Sequence, residues 1–391
     1  MKVGIITLWQ SSDNYGQQLQ CWALQQELIK LGYEPYLIRY DVEYQFSSIK
    51  SPLWKKITKL LLIYPVVKSF VRKKRKIKEQ KLRVYNAKRN SERDFENFRK
   101  DNIYMSEETY TSLKSLKDNP PKAAAYIVGS DQVWAFLLDR LENQVMFLDF
   151  GQNKTKRVAY APSFSMPAYP DKLKAQLKFN LSRFDSLSVR EQTGANICKE
   201  LGFEAKVVLD PTMLLKREDY SKIACTNTRN AYIYLYYLNI TNPKEVEWKQ
   251  LQEFSKAFNL KIIATPASGY IQGEELFSDV DYQYATIPQW IGLINNANFV
   301  VTTSFHGVVF CVLHHTPFVF FPLKGKFSRG NNRVIDLCNL LHLSDRIWTG
   351  NLSFISLYED VIDWKKVDQI LDTNRMDSIS YLSNNLKSHE S

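Results

Sequence analysis

The chain has 391 residues, 45% of them apolar and 13% aromatic, which is enough to bury a substantial core divided among two or three domains. Charged residues make up 24%, with a formal net charge of +11, and no long stretch lacks aromatic or branched aliphatic residues, which excludes wholesale disorder. No apolar run approaches the roughly 20 residues that span a bilayer. The five cysteines are scattered and never spaced as C-x-x-C, so they read as reduced, mostly buried thiols, with neither a disulfide framework nor a zinc site.

The first forty residues read as a βαβ unit. Val3–Leu8 is strand-like and begins so near the start that no charged leader fits before it, which places the expected location in the cytoplasm. A polar loop from Trp9 to Tyr15 leads into a helix over residues 16–31, with Leu19, Trp22, Ala23 and Leu31 on its apolar face and Gly32 closing it. Tyr36–Tyr40 is the next strand. In a parallel sheet the loop between them lies at the strand's carboxyl end, where open α/β folds bind ligands.

A basic insertion follows over about residues 50–95. From Lys55 to Arg93 it gathers most of the excess positive charge, opposed only by Glu79 and Glu92. One reading is a solvated, partly helical segment. The other is attraction to an anionic membrane surface, since Trp54, Ile57, Leu60, Leu61 and Ile63 sit beside the charges. Nucleic acid is not expected as a partner, because no recognised nucleic-acid module accompanies the patch.

Beyond the insertion, Ala124–Val128 reads as a buried strand ending in Gly129, Ser130 and Asp131, and Arg157–Ala161 as another, stopped by Pro162. Leu187–Val189 precedes Arg190 and Glu191, a helix follows over residues 192–201, and Lys206–Leu209 ends at Asp210 and Pro211. Further strands at Tyr232–Leu238, Lys261–Ala264, Phe299–Thr303 and Phe318–Phe321 alternate with helical stretches near Lys244–Phe258, Pro288–Asn296 and Gly307–His314. Such alternation means an α/β protein with a mainly parallel sheet. We expect two Rossmann-like domains facing a cleft, 1–222 and 223–363, with the polar segment Arg217–Asn230 linking them and a helical tail, 364–391, crossing back to the first.

Five segments, in order, resemble the polysaccharide pyruvyl transferase family: Ser12-Asp13-Asn14-Tyr15-Gly16, Val128-Gly129-Ser130-Asp131-Gln132-Val133-Trp134, Ser188-Val189-Arg190-Glu191, Val208-Leu209-Asp210-Pro211-Thr212 and Thr303-Ser304-Phe305-His306-Gly307. Each is weak alone, but their order and their placement at strand ends make the set specific. The resemblance implies a fold similar to the two-domain glycosyltransferase B architecture. It also implies transfer of the pyruvyl group of phosphoenolpyruvate onto a sugar of a surface polysaccharide, or of its lipid-linked precursor, as a ketal with release of phosphate. No cofactor or metal is implied. The partners would be phosphoenolpyruvate and a saccharide acceptor.

That chemistry sets requirements. Phosphoenolpyruvate carries a carboxylate and a phosphate, so its site needs cations or backbone N–H donors, and a proton donor must stand beside them to protonate the enol carbon. His306 follows a buried strand and opens an apolar helix, which puts an imidazole at a helix N-terminus, where N–H groups and dipole favour anions. The resemblance makes it the catalytic acid or base, with Gly307 beside it; the plain alternative is a histidine that caps the helix. Arg190, at a strand end, matches the family's donor-binding arginine, and its fork suits carboxylate or phosphate. Glu191 would tether it or cap the next helix.

One position departs from the family: Ser304 stands where an arginine commonly helps bind the donor. Lys324, Lys326, Arg329 and Arg333 are the nearest replacements, Lys326 being most similar to the family's downstream lysine, with a solvated basic loop as the alternative reading. Ser12, Asp13, Asn14, Tyr15 and Gly16 offer mixed donors and acceptors for sugar hydroxyls, although Asp13 could simply cap the helix. Gly129, Ser130 and Asp131 resemble a phosphate or sugar loop, and Trp134 would stack on a sugar or pack. Asp210-Pro211 reads as structural. Ser163 and Ser165 lack the G-x-S-x-G frame of a hydrolase nucleophile. Two other functions fit the same fold: a glycosyltransferase using a nucleotide sugar, and a non-catalytic glycan-binding protein.

Overall fold

The computed structural model describes residues 1–41, 89–135, 141–225, 231–267 and 276–387. Most of the basic insertion lies outside these residues. Its last cation does not. Arg93, read in the sequence as part of a solvated run, is only 4% exposed and bonds inward, to the Tyr15 hydroxyl at 2.9 Å and the Pro266 carbonyl at 2.6 Å.

Two sheets carry the described chain, and every strand pairing in them is parallel. The first holds β1 (Lys2–Ile6), β2 (Glu34–Tyr40), β3 (Met105–Tyr110), β4 (Ala125–Val128), β5 (Lys156–Ala159), β6 (Ser186–Val189) and β7 (Lys206–Val207), in spatial order β3-β2-β1-β4-β5-β6-β7. The second holds β8 (Tyr232–Tyr237), β9 (Lys261–Pro266), β10 (Asp281–Tyr282), β11 (Phe299–Thr302) and β12 (Phe318–Phe320), in order β10-β9-β8-β11-β12. Both are doubly wound: the chain runs outward one way from the founding strand, then returns beside it and runs the other way. This is the Rossmann-like pair expected from the sequence.

In such sheets the crevice opens where the winding reverses, at the carboxyl ends of the two central strands. Here those ends are the loops after β1 and β4 in one domain and after β8 and β11 in the other. Central strands read as continuous apolar runs because both their faces are covered, and β4, β8 and β11 are buried throughout.

The domains share one apolar seam. Tyr15 stacks on Trp290 with ring centroids 5.2 Å apart and bonds the Ala285 carbonyl at 2.6 Å, while Tyr220 lies against Trp22 on one side and Phe310 on the other. The segment Arg217–Asn230, expected as a polar linker, therefore begins as a short helix, Arg217–Ser221, with Tyr220 fully buried in the seam. The tail forms the helix Trp364–Leu386 and packs on the first sheet, where the Tyr381 hydroxyl donates to the Ala159 carbonyl at 3.0 Å and Leu382 and Leu386 are buried beside Val3 and Ile5. No helix among the described residues is long and apolar enough to cross a membrane.

Candidate active site

The reversal points of both sheets converge on one cavity of about 400 Å³. Its wall includes Asn14 and Asp131 from the first domain, and Leu238, Asn239, Thr303, Ser304, Phe305 and His306 from the second, with Arg329 and Arg333 beyond β12.

His306 sits in the first turn of the helix Phe305–His314, whose N-cap is Ser304: the Ser304 hydroxyl accepts the Gly307 N–H at 3.3 Å. A serine here satisfies a helix-end donor that arginine could not, a cap worth about 1 kcal/mol. The ring of His306 is 6% exposed and lines the cavity, and its Nε2 has no hydrogen-bond partner among the described residues. Asp210 Oδ1 stands 3.7 Å from that nitrogen. This is close enough to stabilise a protonated ring and too far to hold the proton in a hydrogen bond.

The other side of the ring meets Gly16. A Cβ at position 16 would fall 1.9 Å from His306 Nδ1, so only glycine lets the first helix approach the imidazole this closely. Gly16→Ala should therefore displace the ring. Displacements near 1 Å cost about 100-fold in rate, and a turnover assay beside a melting curve will show a kcat loss of that order with the fold retained.

Beneath the cavity lies a buried charge cluster. Arg190 donates to Asp210 Oδ2 at 2.7 Å and approaches Asp131 at 3.6 Å; the Arg190 and Asp210 side chains are 2% and 0% exposed. Burial alone would push the Asp210 carboxyl up, but His306, Arg190 and Thr212 outweigh it and hold it well below the usual carboxylate range. Thr212 supplies both its N–H and its hydroxyl to Oδ1, and Ser130 gives Oδ2 a hydroxyl at 3.0 Å. Arg190, desolvated but flanked by these acids, stays firmly charged.

Several expected site residues stand elsewhere. Arg190 is not in the cavity wall: it lies behind Phe305, its guanidinium 4.8 Å from that ring's centroid, so it holds the acids in place. Asp210, read in the sequence as structural, is the group facing the histidine. Tyr15 belongs to the seam. Trp134 offers no platform for a sugar, being fully buried, stacked on Phe147 and donating to the Met146 carbonyl at 2.8 Å. Gly129 and Ser130 form the cavity's foundation: Gly129 has φ +112, and a Cβ there would meet the Tyr160 carbonyl oxygen at 2.1 Å. Ser12 and Asp13 are outside the wall, Asp13 accepting from the Ser11 hydroxyl at 2.8 Å. Lys324 is exposed and also outside it; the Lys326 side chain is not among those described.

Glu191 makes no salt bridge to Arg190, and it stands at the N-cap of the following helix without a side-chain cap bond. Its Oε1 takes the Ser163 hydroxyl at 2.9 Å and the N–H groups of Phe164 and Ser165 at 2.9 and 3.3 Å, fixing the loop from which Ser165 reaches the cavity. No group of metal-ligating side chains occurs among the described residues.

A family described as polysaccharide pyruvyl transferase matches residues 14–324. Among curated proteins none matches the chain. Solved structures of similar fold include a UDP-GlcNAc 2-epimerase of Methanocaldococcus jannaschii (11% identity, 99% of each chain covered, TM-score 0.46). A putative UDP-N-acetylglucosamine 2-epimerase of Listeria monocytogenes (8% identity, 99% and 96% covered, TM-score 0.49) and MurG of Acinetobacter baumannii (10% identity, 98% of each covered, TM-score 0.42) are also similar.

Proposed function

Because the chain belongs to the polysaccharide pyruvyl transferase family, we propose that it moves the pyruvyl group of phosphoenolpyruvate onto two hydroxyls of a saccharide, free or lipid-linked, as a ketal. The observation that carries this reading is the His306 Nε2: buried, in the cavity wall, unpartnered by any hydrogen bond among the described residues, and 3.7 Å from an ionised Asp210.

His306 donates its Nε2 proton to the CH₂ carbon of the enol, which becomes a methyl group while the neighbouring carbon turns oxocarbenium-like. Asp210 stabilises the imidazolium before that transfer. One acceptor hydroxyl adds to the electron-poor carbon, the bond from that carbon to the phosphate oxygen breaks, and the second hydroxyl closes the ketal. Of the two hydroxyl protons, one restores His306 and the other leaves on phosphate. General acid catalysis of this kind contributes about 10² to 10⁴ in rate. The N–H groups of Phe305 and His306 at the helix mouth suit the donor's anionic groups.

Incubation of the protein with phosphoenolpyruvate and a panel of oligosaccharides, lipid-linked ones included, should release phosphate in step with pyruvylated product. No release across the panel, together with stabilisation by a nucleotide sugar and none by phosphoenolpyruvate, would replace this reading with glycosyl transfer.

A further inference from the structure

The cavity wall carries a cation, Arg333, and the carboxylates that act on it, Asp131, Glu191 and Asp210, are each engaged by other groups. Arg333 opens the helix Asn332–Leu340, lies in the cavity wall and is partly buried. Its guanidinium sits 5.5 Å from the centroid of Phe305, the same ring that Arg190 approaches at 4.8 Å. Here the two arginines part company. Arg190 meets two carboxylates. Arg333 makes no ion pair with any described residue, and its Nε donates to the Gly330 carbonyl at 3.3 Å.

Desolvation, aggravated by the nearby Arg190 charge and only partly offset by Asp131, Glu191 and Asp210, lowers the Arg333 guanidinium to about 10. An anion is what would relieve it. The geometry favours one too, since a fork-shaped donor with free N–H groups binds carboxylate or phosphate in a bidentate way. Across the same cavity, Ser304 is uncharged and committed to capping its helix.

We propose that Arg333 is the donor-binding cation of this site, its guanidinium gripping one of the two anionic groups of phosphoenolpyruvate while Phe305 holds the fork in plane beside Arg190. The proposal rests on the phosphoenolpyruvate reading above. Arg333 binds and His306 protonates, so the two residues divide along different kinetic parameters.

The test is titration calorimetry of phosphoenolpyruvate into the full chain, with kcat and KM measured alongside, for wild type, Arg333→Gln and Arg333→Lys. Losing a charge-assisted pair should raise Kd and KM for phosphoenolpyruvate roughly 10- to 100-fold in Arg333→Gln, with a smaller change in kcat. Arg333→Lys keeps the charge but not the planar fork, so an intermediate rise is expected, and it decides the case should Arg333→Gln melt early. Competition by inorganic phosphate and by pyruvate then assigns the group held: the competitor whose affinity falls in the variant is the one Arg333 grips. Wild-type binding with Kd and KM unchanged in a folded variant overturns this proposal alone. A wild-type chain that takes up no phosphoenolpyruvate overturns the functional reading and this proposal together.

Discussion

His306→Asn should lower kcat with phosphoenolpyruvate by about 10²- to 10⁴-fold, the range a positioned general acid supplies, while leaving Kd for the donor within a few-fold of wild type. Asparagine keeps a polar side chain of similar reach at the helix mouth but has no proton to give at neutral pH. The fold should survive, because the Nε2 of His306 makes no hydrogen bond to any described residue. Stopped assays of phosphate release and pyruvylated product check the first part, and donor titration checks the second. A variant turning over at the wild-type rate would remove His306 from the chemistry.

Asp210→Asn should strike stability and turnover together. Among the described residues, Asp210 is the carboxylate in contact with both Arg190 and His306, and removing its charge leaves the buried Arg190 guanidinium with the more distant Asp131, at 3.6 Å, as its described ion-pair partner. Breaking a buried ion pair from one side costs about 3–5 kcal/mol, which should appear as a lower unfolding midpoint in denaturant. The sign of the pH effect follows from the lowered folded-state value. Asp210 contributes stability that is complete above the unfolded carboxylate value, near 3.9, and is lost as pH falls through its depressed folded value. The wild-type chain should therefore keep this contribution at pH 5, and the gap in midpoint between wild type and variant should be undiminished there relative to pH 7. A gap that had already closed at pH 5 would mean that Asp210 is not held ionised by its neighbours.

Much of the architecture was legible because buried parallel strands announce themselves. Runs such as Tyr232–Leu238 and Phe299–Thr303 are apolar on both faces, and they became β8 and β11 within a residue at each end. The strands that escaped notice were those without that signal. Met105–Tyr110 reads Met-Ser-Glu-Glu-Thr-Tyr and lies at a sheet edge with half of it exposed, and Asp281–Tyr282 is two residues long. The helix expected over Lys244–Phe258 is interrupted at Glu247, which adopts a left-handed conformation with φ 48 between a 3₁₀ turn and the helix proper, a backbone choice that side-chain periodicity does not record.

At the site, the histidine and the loops that surround it were readable, since each lies at a strand end and strand ends in these sheets face the crevice. The division of labour among the charges was not. Arg190 and Asp210 stand on separate strand ends, and nothing local says that they pair, that the pair sits under the cavity, or that Asp210 turns its other oxygen to His306. Arg333 was one of four cations in a stretch where the sequence favoured Lys326; its place in the cavity wall beside Phe305 is what the sequence did not show. Tyr15 and Trp134 misled for a common reason: an aromatic beside a polar motif has the chemistry of a sugar platform, and only burial distinguishes a platform from a core residue.

The aromatic seam around Tyr15, Trp290 and Tyr220 bears on how substrates reach the cavity. Domain pairs joined through small polar contacts swing freely, whereas a broad oily contact holds them together. With Arg93 pinned to both Tyr15 and the Pro266 carbonyl across that contact, prising the halves apart would wet several large rings at once. Entry to the cavity then runs past the loops at its rim, where Leu323, Phe327, Arg329 and Gly330 stand, rather than through a clamshell stroke of the whole molecule.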